Sequence, residues 1–252
     1  MKDSSAACLV IGDEILTGKV HDRNSHLLAQ VLFERGVRLR RVETVPDELD
    51  DIAGSVRQLS ERFTYVFTSG GIGPTHDDMT YAGIAQAFGV GLAYHQPTLD
   101  AFAAYYESRG RGKLNEARKR MALIPQGAEV WSTPDSWVPF VVMENVHVLP
   151  GVPELFEKML MDNAHRFHGI PLFRTMLYTD SPEGDIADTL ARAHAAHPNI
   201  AIGSYPKYGK DAGYSVKITL EGLPESEVRE LANELREALG ARPDARADSA
   251  KV

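Results

Sequence analysis

Strand-like apolar runs alternate with amphipathic helical stretches over residues 7–168 of this chain. The strand-like runs are residues 7–11, 37–45 and 63–68, and the helical stretches that follow them are residues 25–36, 47–62 and 79–88. A strand that is followed by a helix and then by another strand favours parallel pairing, because the helix returns the chain across the sheet. The pattern therefore predicts an α/β fold with a mainly parallel sheet.

A second pattern begins near residue 171. Residues 171–240 read as strand, helix, strand, strand and helix, which is typical of a small α+β domain with a ferredoxin-like half. We therefore expect one domain over residues 1–170 and a second over residues 171–240. Residues 241–252 are polar, and we expect them to form a disordered tail.

Composition narrows the class of protein. The chain has 252 residues and a formal charge of −8, which argues against non-specific binding to nucleic acid or to an anionic membrane. Cys8 is its single cysteine, so no intrachain disulfide can form. The N-terminus lacks a signal-peptide pattern, and no apolar run approaches the roughly 20 residues that span a bilayer. These features predict a soluble cytoplasmic protein.

The most informative motif is TSGGIGPTHDDMT, residues 68–80, which follows a strand-like run. Its glycines allow backbone amides to approach a phosphate closely, and its hydroxyl groups add hydrogen-bond donors. It matches neither the Walker nor the Rossmann pattern. The alternative is a tight strand-to-helix turn. The candidate phosphate ligands in this motif are Thr68, Ser69, Gly70, Gly71, Gly73 and Thr75.

Carboxylates in and near this motif would repel a phosphate unless a cation lies between them. Asp77 and Asp78 belong to the motif, and Asp47 follows another strand in TVPDE, residues 44–48. Carboxylate oxygens are preferred ligands of Mg²⁺ and Ca²⁺, so these side chains suit a divalent cation that polarises a phosphoryl group. The alternatives are helix caps, formed by Asp47 or by Asp78 together with Thr80.

Two further loops also follow predicted strands. The first contains Gly12, Asp13 and Asn24, and the second contains Pro150 and Gly151. Loops that leave the carboxyl ends of parallel strands converge on one edge of a sheet, where α/β proteins bind ligands. Alternatively the first is a solvated loop, with Asn24 or Ser25 as a helix N-cap.

Other polar residues have ordinary alternatives. The basic cluster KLNEARKR, residues 113–120, could neutralise a phosphate or could be a solvated helix face. His21 and His76 lie in the candidate loops, and a solvated position is favoured for each.

Taken together, GDEILTGKVHDRNS, TVPDE, TSGGIGPTHDDMT and LPGVPE resemble the molybdopterin-binding-like domain of the competence/damage-inducible protein A (CinA) family. The same domain forms the N-terminal half of eukaryotic-type FAD synthases. The resemblance spans roughly residues 6–168, and residues 171–240 look like the small domain that follows in CinA-type chains. It implies a three-layer α/β domain that binds a pterin or a nucleotide phosphate.

The resemblance also implies roles for particular residues. Catalytic aspartates correspond to Asp47 and Asp78, and the metal-binding acids become Asp13, Asp77 and Asp78. Asn24, Asn115 and Lys119 become ligand contacts beside the glycine loop. The implied activity is a nucleotide pyrophosphatase that uses Mg²⁺, Mn²⁺ or Co²⁺ on ADP-ribose, FAD or a related dinucleotide, and relatives commonly form dimers or trimers. The alternatives are molybdopterin binding or adenylation in molybdenum cofactor biosynthesis, and a non-catalytic nucleotide-binding module.

One stretch departs from the CinA pattern. TPDSWVPFV, residues 133–141, replaces a glycine-containing segment and carries Trp137, which is closer to the FAD synthase version. No stretch resembles the amidohydrolase domain of longer CinA proteins or the adenylyltransferase half of FAD synthases. Neither of those activities is expected here.

Overall fold

The computed structural model describes residues 4–110, 114–133, 137–207 and 213–243. It divides into two compact units, Met1–Pro171 and Leu172–Val252, with the break one residue beyond the boundary expected from the sequence. Across the described ranges, none of the helices combines the length and the apolar character needed to cross a membrane.

The first unit is built on a six-stranded sheet. Its strands are β1 (Ser5–Ile11), β2 (Arg38–Val45), β3 (Tyr65–Ser69), β6 (Glu129–Trp131), β7 (Phe140–Met143) and β8 (Val146–Leu149). They lie in the order β2-β1-β3-β8-β7-β6. The first four strands in that order are parallel, whereas β6 and β7 pair antiparallel. The α/β fold with a mainly parallel sheet is confirmed.

Helices connect these strands. They are α1 (Asp13–Leu16), α2 (Asn24–Glu34), α3 (Leu49–Arg62), α4 (Thr80–Phe88), α5 (Gln96–Ser108), α6 (Glu116–Arg120) and α7 (Pro153–Asn163), which a 3-10 turn (Ala164–Arg166) extends. A separate two-stranded sheet pairs β4 (Leu92–Tyr94) with β5 (Leu123–Pro125). The sequence pattern missed β4, β5 and α1, because elements this short show no full period of alternation.

The core of the first unit surrounds β1. Residues 6–11 are at most 3% exposed, as expected for a strand that has neighbours on both sides and is covered on both faces. Buried side chains of α2 and α3 join the same cluster, namely Leu28, Leu32, Ile52, Val56 and Leu59. Their 3–4 spacing is the one that predicted those helices.

The second unit consists of β9 (Phe173–Thr179), α8 (Glu183–Ala196), β10 (Ala201–Pro206), β11 (Val216–Gly222), α9 (Glu225–Leu239) and β12 (Arg242–Pro243). The strands form an antiparallel sheet in the order β10-β11-β9-β12. The predicted start of the disordered tail at residue 241 is too early in the chain, because Ala241 is buried and β12 extends the sheet. Residues 244–252 of that expected tail lie outside the described residues.

A buried histidine lies in an aromatic cluster of the first unit. His147 of β8 is 4% exposed, and its ring centroid is 5.1 Å from that of Phe67 and 5.0 Å from that of Phe167. Its Nδ1 lies 3.2 Å from the Val66 carbonyl oxygen. Burial lowers the pKa of His147 to about 4, so the folded unit holds the ring neutral at pH 7.

This lowered pKa predicts a loss of stability in mild acid. In the unfolded chain His147 takes up a proton near pH 6.5, whereas in the folded chain it does so only near pH 4. The contribution of neutral His147 to the free energy of unfolding is therefore fully present above pH 6.5 and declines as the pH falls towards 4. The expected loss is about 3 kcal/mol over that interval. We expect His147→Phe to remove that part of the pH dependence in denaturant titrations.

Tryptophan fluorescence is a suitable signal, because Trp131 and Trp137 both belong to the first unit. His165→Gln is the matched control, since His165 is exposed and its substitution should leave the pH dependence as in the wild type. If the free energy of unfolding of His147→Phe depends on pH as that of the wild type does, the loss of stability in acid does not come from His147.

Candidate functional site

The loops after β1, β2, β3 and β8 begin at one edge of the sheet. Ile11 lies opposite Val45, Val10 opposite Ser69, and Ser69 opposite Leu149. Backbone hydrogen bonds continue past the strand ends, from Gly12 N to the Val45 oxygen and from Gly70 N to the Leu149 oxygen, each 3.2 Å long. The convergence of these loops, expected from the sequence, is confirmed.

The turn after β3 requires glycine at two positions. Gly70 has a φ of 110° and Gly71 a φ of 65°, values that side-chain-bearing residues rarely adopt. A Cβ atom on Gly70 would lie 2.1 Å from the Ile11 carbonyl oxygen, and one on Gly71 would lie 2.3 Å from Thr80 Oγ1. The glycines therefore serve both the turn and its close approach to neighbouring atoms.

Thr80, the first residue of α4, stabilises this turn through two hydrogen bonds. Its hydroxyl donates to the Gly70 oxygen over 2.8 Å, and its amide donates to the Gly71 oxygen over 3.0 Å. Both glycine carbonyls are thus turned towards α4. Within the described ranges, the amides of Gly71 and Ile72 donate to no protein acceptor, so they remain able to hold an anion. The sequence had suggested Thr80 only as part of a helix cap.

Asp78 organises the second half of the turn. Its Oδ1 accepts from Gly73 N over 2.6 Å, and its Oδ2 accepts from both the amide and the hydroxyl of Thr75. The alternative of a helix cap formed by Asp78 and Thr80 is wrong, because the N-cap of α4 is Met79 and makes no side-chain hydrogen bond. These contacts favour a structural role for Asp78 over the catalytic and metal-binding roles implied by the resemblance.

Asp47 connects the loop after β2 to the loop after β1. Its Oδ2 accepts from the Asp13 amide over 3.0 Å. Burial raises the pKa of Asp47, the Asp13 amide opposes that change, and the charges of Glu14, Asp13 and Asp77 raise it further. Asp47 does not cap α3, because α3 begins at Leu49 and its N-cap is Glu48. Asp47 therefore experiences the negative charge of carboxylates that come from two other loops.

Asp77 lies at the exposed end of the glycine turn. Donors of its own loop, first the Thr75 side chain and then the Asp77 amide, hold the pKa of Asp77 below its usual value, with a smaller contribution from His76. In the structure the single hydroxyl proton of Thr75 is donated to Asp78, so the direction of this shift rests more firmly on the Asp77 amide and on His76. His76 is itself 95% exposed, in keeping with the solvated position that its sequence context favoured. His21 is exposed as well.

The expected metal-binding set of Asp13, Asp77 and Asp78 is not assembled by the protein alone. Within the part of the chain that the structure describes, no three His, Cys, Asp or Glu side chains are grouped closely enough to hold a metal ion. Asp78 faces the amides of its own turn, whereas Asp13 begins α1. What the fold brings together is a looser group of acids around Asp47.

Asn24 joins three of the converging loops. It is 6% exposed, and its Nδ2 donates to Ser69 Oγ over 2.9 Å and to the Gly151 oxygen over 3.0 Å. Gly151 lies close to Gly70, since a Cβ atom on Gly151 would be 3.3 Å from the Gly70 Cα. Asn24 therefore positions the loops rather than offering its amide to a ligand.

The cap of α2 also differs from expectation. The N-cap of α2 is Arg23, which makes no side-chain cap hydrogen bond. Asp22 Oδ1, one residue earlier, instead accepts from the amides of Asn24 and Ser25 over 3.0 and 3.1 Å and so stabilises the start of the helix. Thr68 is fully buried, which removes its hydroxyl from the surface that a ligand reaches. Pro150 is buried as well, at the end of β8.

Asn115 and Lys119 have local structural partners. Asn115 Oδ1 accepts from the Arg118 amide over 2.9 Å and caps α6, and Lys119 Nζ lies 2.6 Å from Glu116 Oε1. Among the described residues, neither side chain makes a hydrogen bond or an ion pair with the glycine turn. Lys113 of the same basic cluster, and residues 134–136 of the divergent stretch, lie outside the described residues.

Removing the Asp78 carboxylate should loosen the glycine turn. Asp78→Ala leaves the amides of Gly73 and Thr75 without an acceptor, and an unsatisfied donor costs about 1–3 kcal/mol. We expect a lower free energy of unfolding and faster hydrogen exchange at both amides. Asp77→Ala, at the neighbouring exposed position, should leave the exchange of the Gly73 amide unchanged. Equal exchange rates in the wild type and Asp78→Ala would show that Asp78 does not organise the turn.

Comparison with known proteins supports the family resemblance. Residues 7–167 match the model described as a probable molybdopterin binding domain, and residues 171–243 match the middle domain of FAD synthase. The structure of CinA from Thermoplasma acidophilum superposes with a TM-score of 0.60 at 30% identity, and the match covers 66% of this chain and 99% of that one.

Curated relatives agree with this result. A probable FAD synthase of Caenorhabditis elegans is 33% identical, with 93% of this chain and 50% of the relative covered. Protein TK1472 of Thermococcus kodakarensis is 36% identical, with 90% of this chain and 95% of that protein covered. The chain thus spans about half the length of the FAD synthases that it matches. The converging loops and these matches show that the chain belongs to the molybdopterin-binding domain family, in the form shared by CinA and FAD synthase.

Proposed function

We propose that the first unit hydrolyses a phosphoanhydride bond of a dinucleotide such as ADP-ribose or FAD, with the help of a divalent cation. One observation carries the proposal. The amides of Gly71 and Ile72, which donate to no protein acceptor within the described residues, belong to the loop after β3. Asp47 and the acids that raise its pKa belong to loops that leave the same edge of the sheet. Donors for an anion and carboxylates for a cation at one edge support a metal-bound pyrophosphate as the ligand.

The glycine turn supplies the anion-binding part. Successive amides that point outward from a strand-to-helix turn form a concave donor surface for phosphate oxygens. The turn leads directly into α4, whose N-terminal dipole favours negative charge. Hydrogen bonds from Thr80 and to Asp78 fix the turn, so a phosphate meets amides that are already oriented.

The acidic side chains of the converging loops provide some of the ligands that a divalent cation needs. Asp47 and Asp77 offer the oxygen donors that Mg²⁺ and Mn²⁺ prefer. Burial raises the pKa of Asp47 most, and the negative charges of Glu14, Asp13 and Asp77, which a cation would offset, raise it further. Mg²⁺ is commonly held by one or two carboxylates together with substrate phosphates. The absence of a closed three-ligand group among the described residues is compatible with that mode of binding.

The protein's own residues have separate roles in this proposal. When bound, a divalent cation polarises a phosphoryl oxygen and makes a water molecule a better nucleophile. The Asp13 amide holds Asp47 through Oδ2, which leaves Oδ1 to orient the attacking water and accept its proton. The amides of Gly71 and Ile72 hold the phosphate and stabilise the negative charge that develops on it.

The comparisons favour a nucleotide substrate. FAD and ADP-ribose share an ADP group, and FAD synthases are among the relatives of this chain. Because the chain spans about half of those relatives, the proposal transfers the class of ligand and not the synthesis of FAD. The phosphate groups of such a ligand are what the glycine turn is suited to bind.

A second candidate function is binding, or adenylation, of molybdopterin. The match to a probable molybdopterin binding domain over residues 7–167 favours it, and the same amides would hold the pterin phosphate. Titration with molybdopterin separates the two functions. Tight pterin binding without turnover of any dinucleotide would favour the second.

Substitution of Asp47 tests the proposed hydrolysis. With ADP-ribose or FAD and Mg²⁺, Mn²⁺ or Co²⁺, we expect the wild type to release a nucleoside monophosphate that chromatography detects. Asp47→Asn should lower kcat by about 100-fold or more, because the amide is a poor proton acceptor and a weaker ligand for a cation.

Glu48→Gln is the matched control for this substitution. It makes the same change of charge one residue later, at an exposed side chain that forms no cap, and it should retain the wild-type rate. Equal rates in Asp47→Asn and the wild type would contradict the role of Asp47. A wild-type protein that turns over no dinucleotide with any of the three metal ions would contradict the proposed function.

A further inference from the structure

A groove beside the phosphate-binding edge has the size of a ligand site. It has a volume of about 400 Å³ and lies between the start of α2 and the start of α7. Cavities that bind small molecules commonly measure about 300–1,000 Å³. Its polar lining includes His21, Arg23, His26, Gln30 and Glu157, and of these the sequence patterns drew attention to His21 alone.

The groove adjoins the edge of the sheet at which the loops converge, and it shares lining residues with a cavity that reaches this edge. A smaller cavity of about 70 Å³ shares its residues 21–24 and Pro153, and reaches Glu14, Ser69 and Gly151. Gly151 in turn lies against Gly70 of the glycine turn. A ligand whose phosphate lies on that turn could therefore extend into the groove.

The side chains that remain available in the groove suit a nucleoside. Asp22 lines the groove, but its carboxylate accepts hydrogen bonds from the first amides of α2 and is therefore not available to a ligand. Imidazole and guanidinium groups have flat faces on which a base can stack, and they come from His26 and Arg23. Glu157 forms no ion pair among the described residues, and a carboxylate is the group that commonly accepts hydrogen bonds from ribose hydroxyls.

We propose that the groove between α2 and α7 binds the nucleoside half of the ligand, with His26 against the base and Glu157 on the ribose. This inference rests on the proposed function, because it assumes that the glycine turn holds the adjoining phosphate. In this proposal the groove determines which nucleoside the protein accepts, next to the groups that react.

Calorimetric titration of three ligands tests the proposal in the presence of Mg²⁺. AMP carries a base, a ribose and a phosphate, ribose 5-phosphate lacks the base, and inorganic pyrophosphate lacks both base and ribose. Glu157→Gln should weaken binding of AMP and of ribose 5-phosphate about tenfold, as expected when a hydrogen bond to a charged group is lost. His26→Ala should weaken AMP roughly fivefold and leave ribose 5-phosphate unchanged.

The controls separate the groove from the phosphate site. Both substitutions should leave pyrophosphate binding at the wild-type level. Glu154→Gln, at an exposed position of α7 that does not line the groove, should leave all three affinities unchanged. All substituted side chains are exposed, and thermal melts establish that each variant folds like the wild type.

Several results would overturn the inference. In the first, the wild-type protein does not bind AMP. In the second, neither groove substitution changes the affinity for AMP. In the third, the groove substitutions weaken pyrophosphate binding as much as AMP binding. Hydrolysis of ADP-ribose by the same proteins is measured separately. The expected affinities without hydrolysis would remove the proposed function and keep the nucleoside site, whereas hydrolysis with unchanged affinities would remove the nucleoside site alone.

Discussion

Parallel pairing of the central strands is the constraint on which the rest of this structure depends. β1 lies between β2 and β3, and β3 pairs with β8, all in the same direction. Every one of these strands therefore ends at the same edge, and four separate loops meet there. The buried Asn24 amide joins three of these loops, so the site is held by the same contacts that complete the fold.

Electrostatics gives that edge its chemical character. Asp47 is half-buried among other carboxylates, and its pKa rises because burial and neighbouring negative charge both disfavour ionisation. The glycine turn presents amides that favour an anion. In the function that we propose, a cation and a phosphate bound together satisfy both groups at once.

Much of this architecture follows from the sequence. Helical periodicity at Leu28 and Leu32 and the buried run of β1 predicted the α/β fold, and the glycines after β3 predicted a turn whose backbone approaches neighbouring atoms closely. The tertiary partners of short polar side chains could not be predicted in this way. Asp78 could equally have capped α4, and only the fold shows that it accepts from Gly73 and Thr75. Glu157 is distant in sequence from α2, so its place in the groove depends on how α7 packs.

The central claim is that carboxylates and glycine amides from different loops form one site for a metal-bound diphosphate. A crystal structure of the protein soaked with ADP-ribose and Mn²⁺ tests it most directly, because the anomalous signal locates the metal. The account predicts Mn²⁺ bonded to Asp47 or Asp77, with a phosphate oxygen within hydrogen-bonding distance of the amides of Gly71 and Ile72. A diphosphate bound elsewhere, or Mn²⁺ remote from both aspartates, would contradict it.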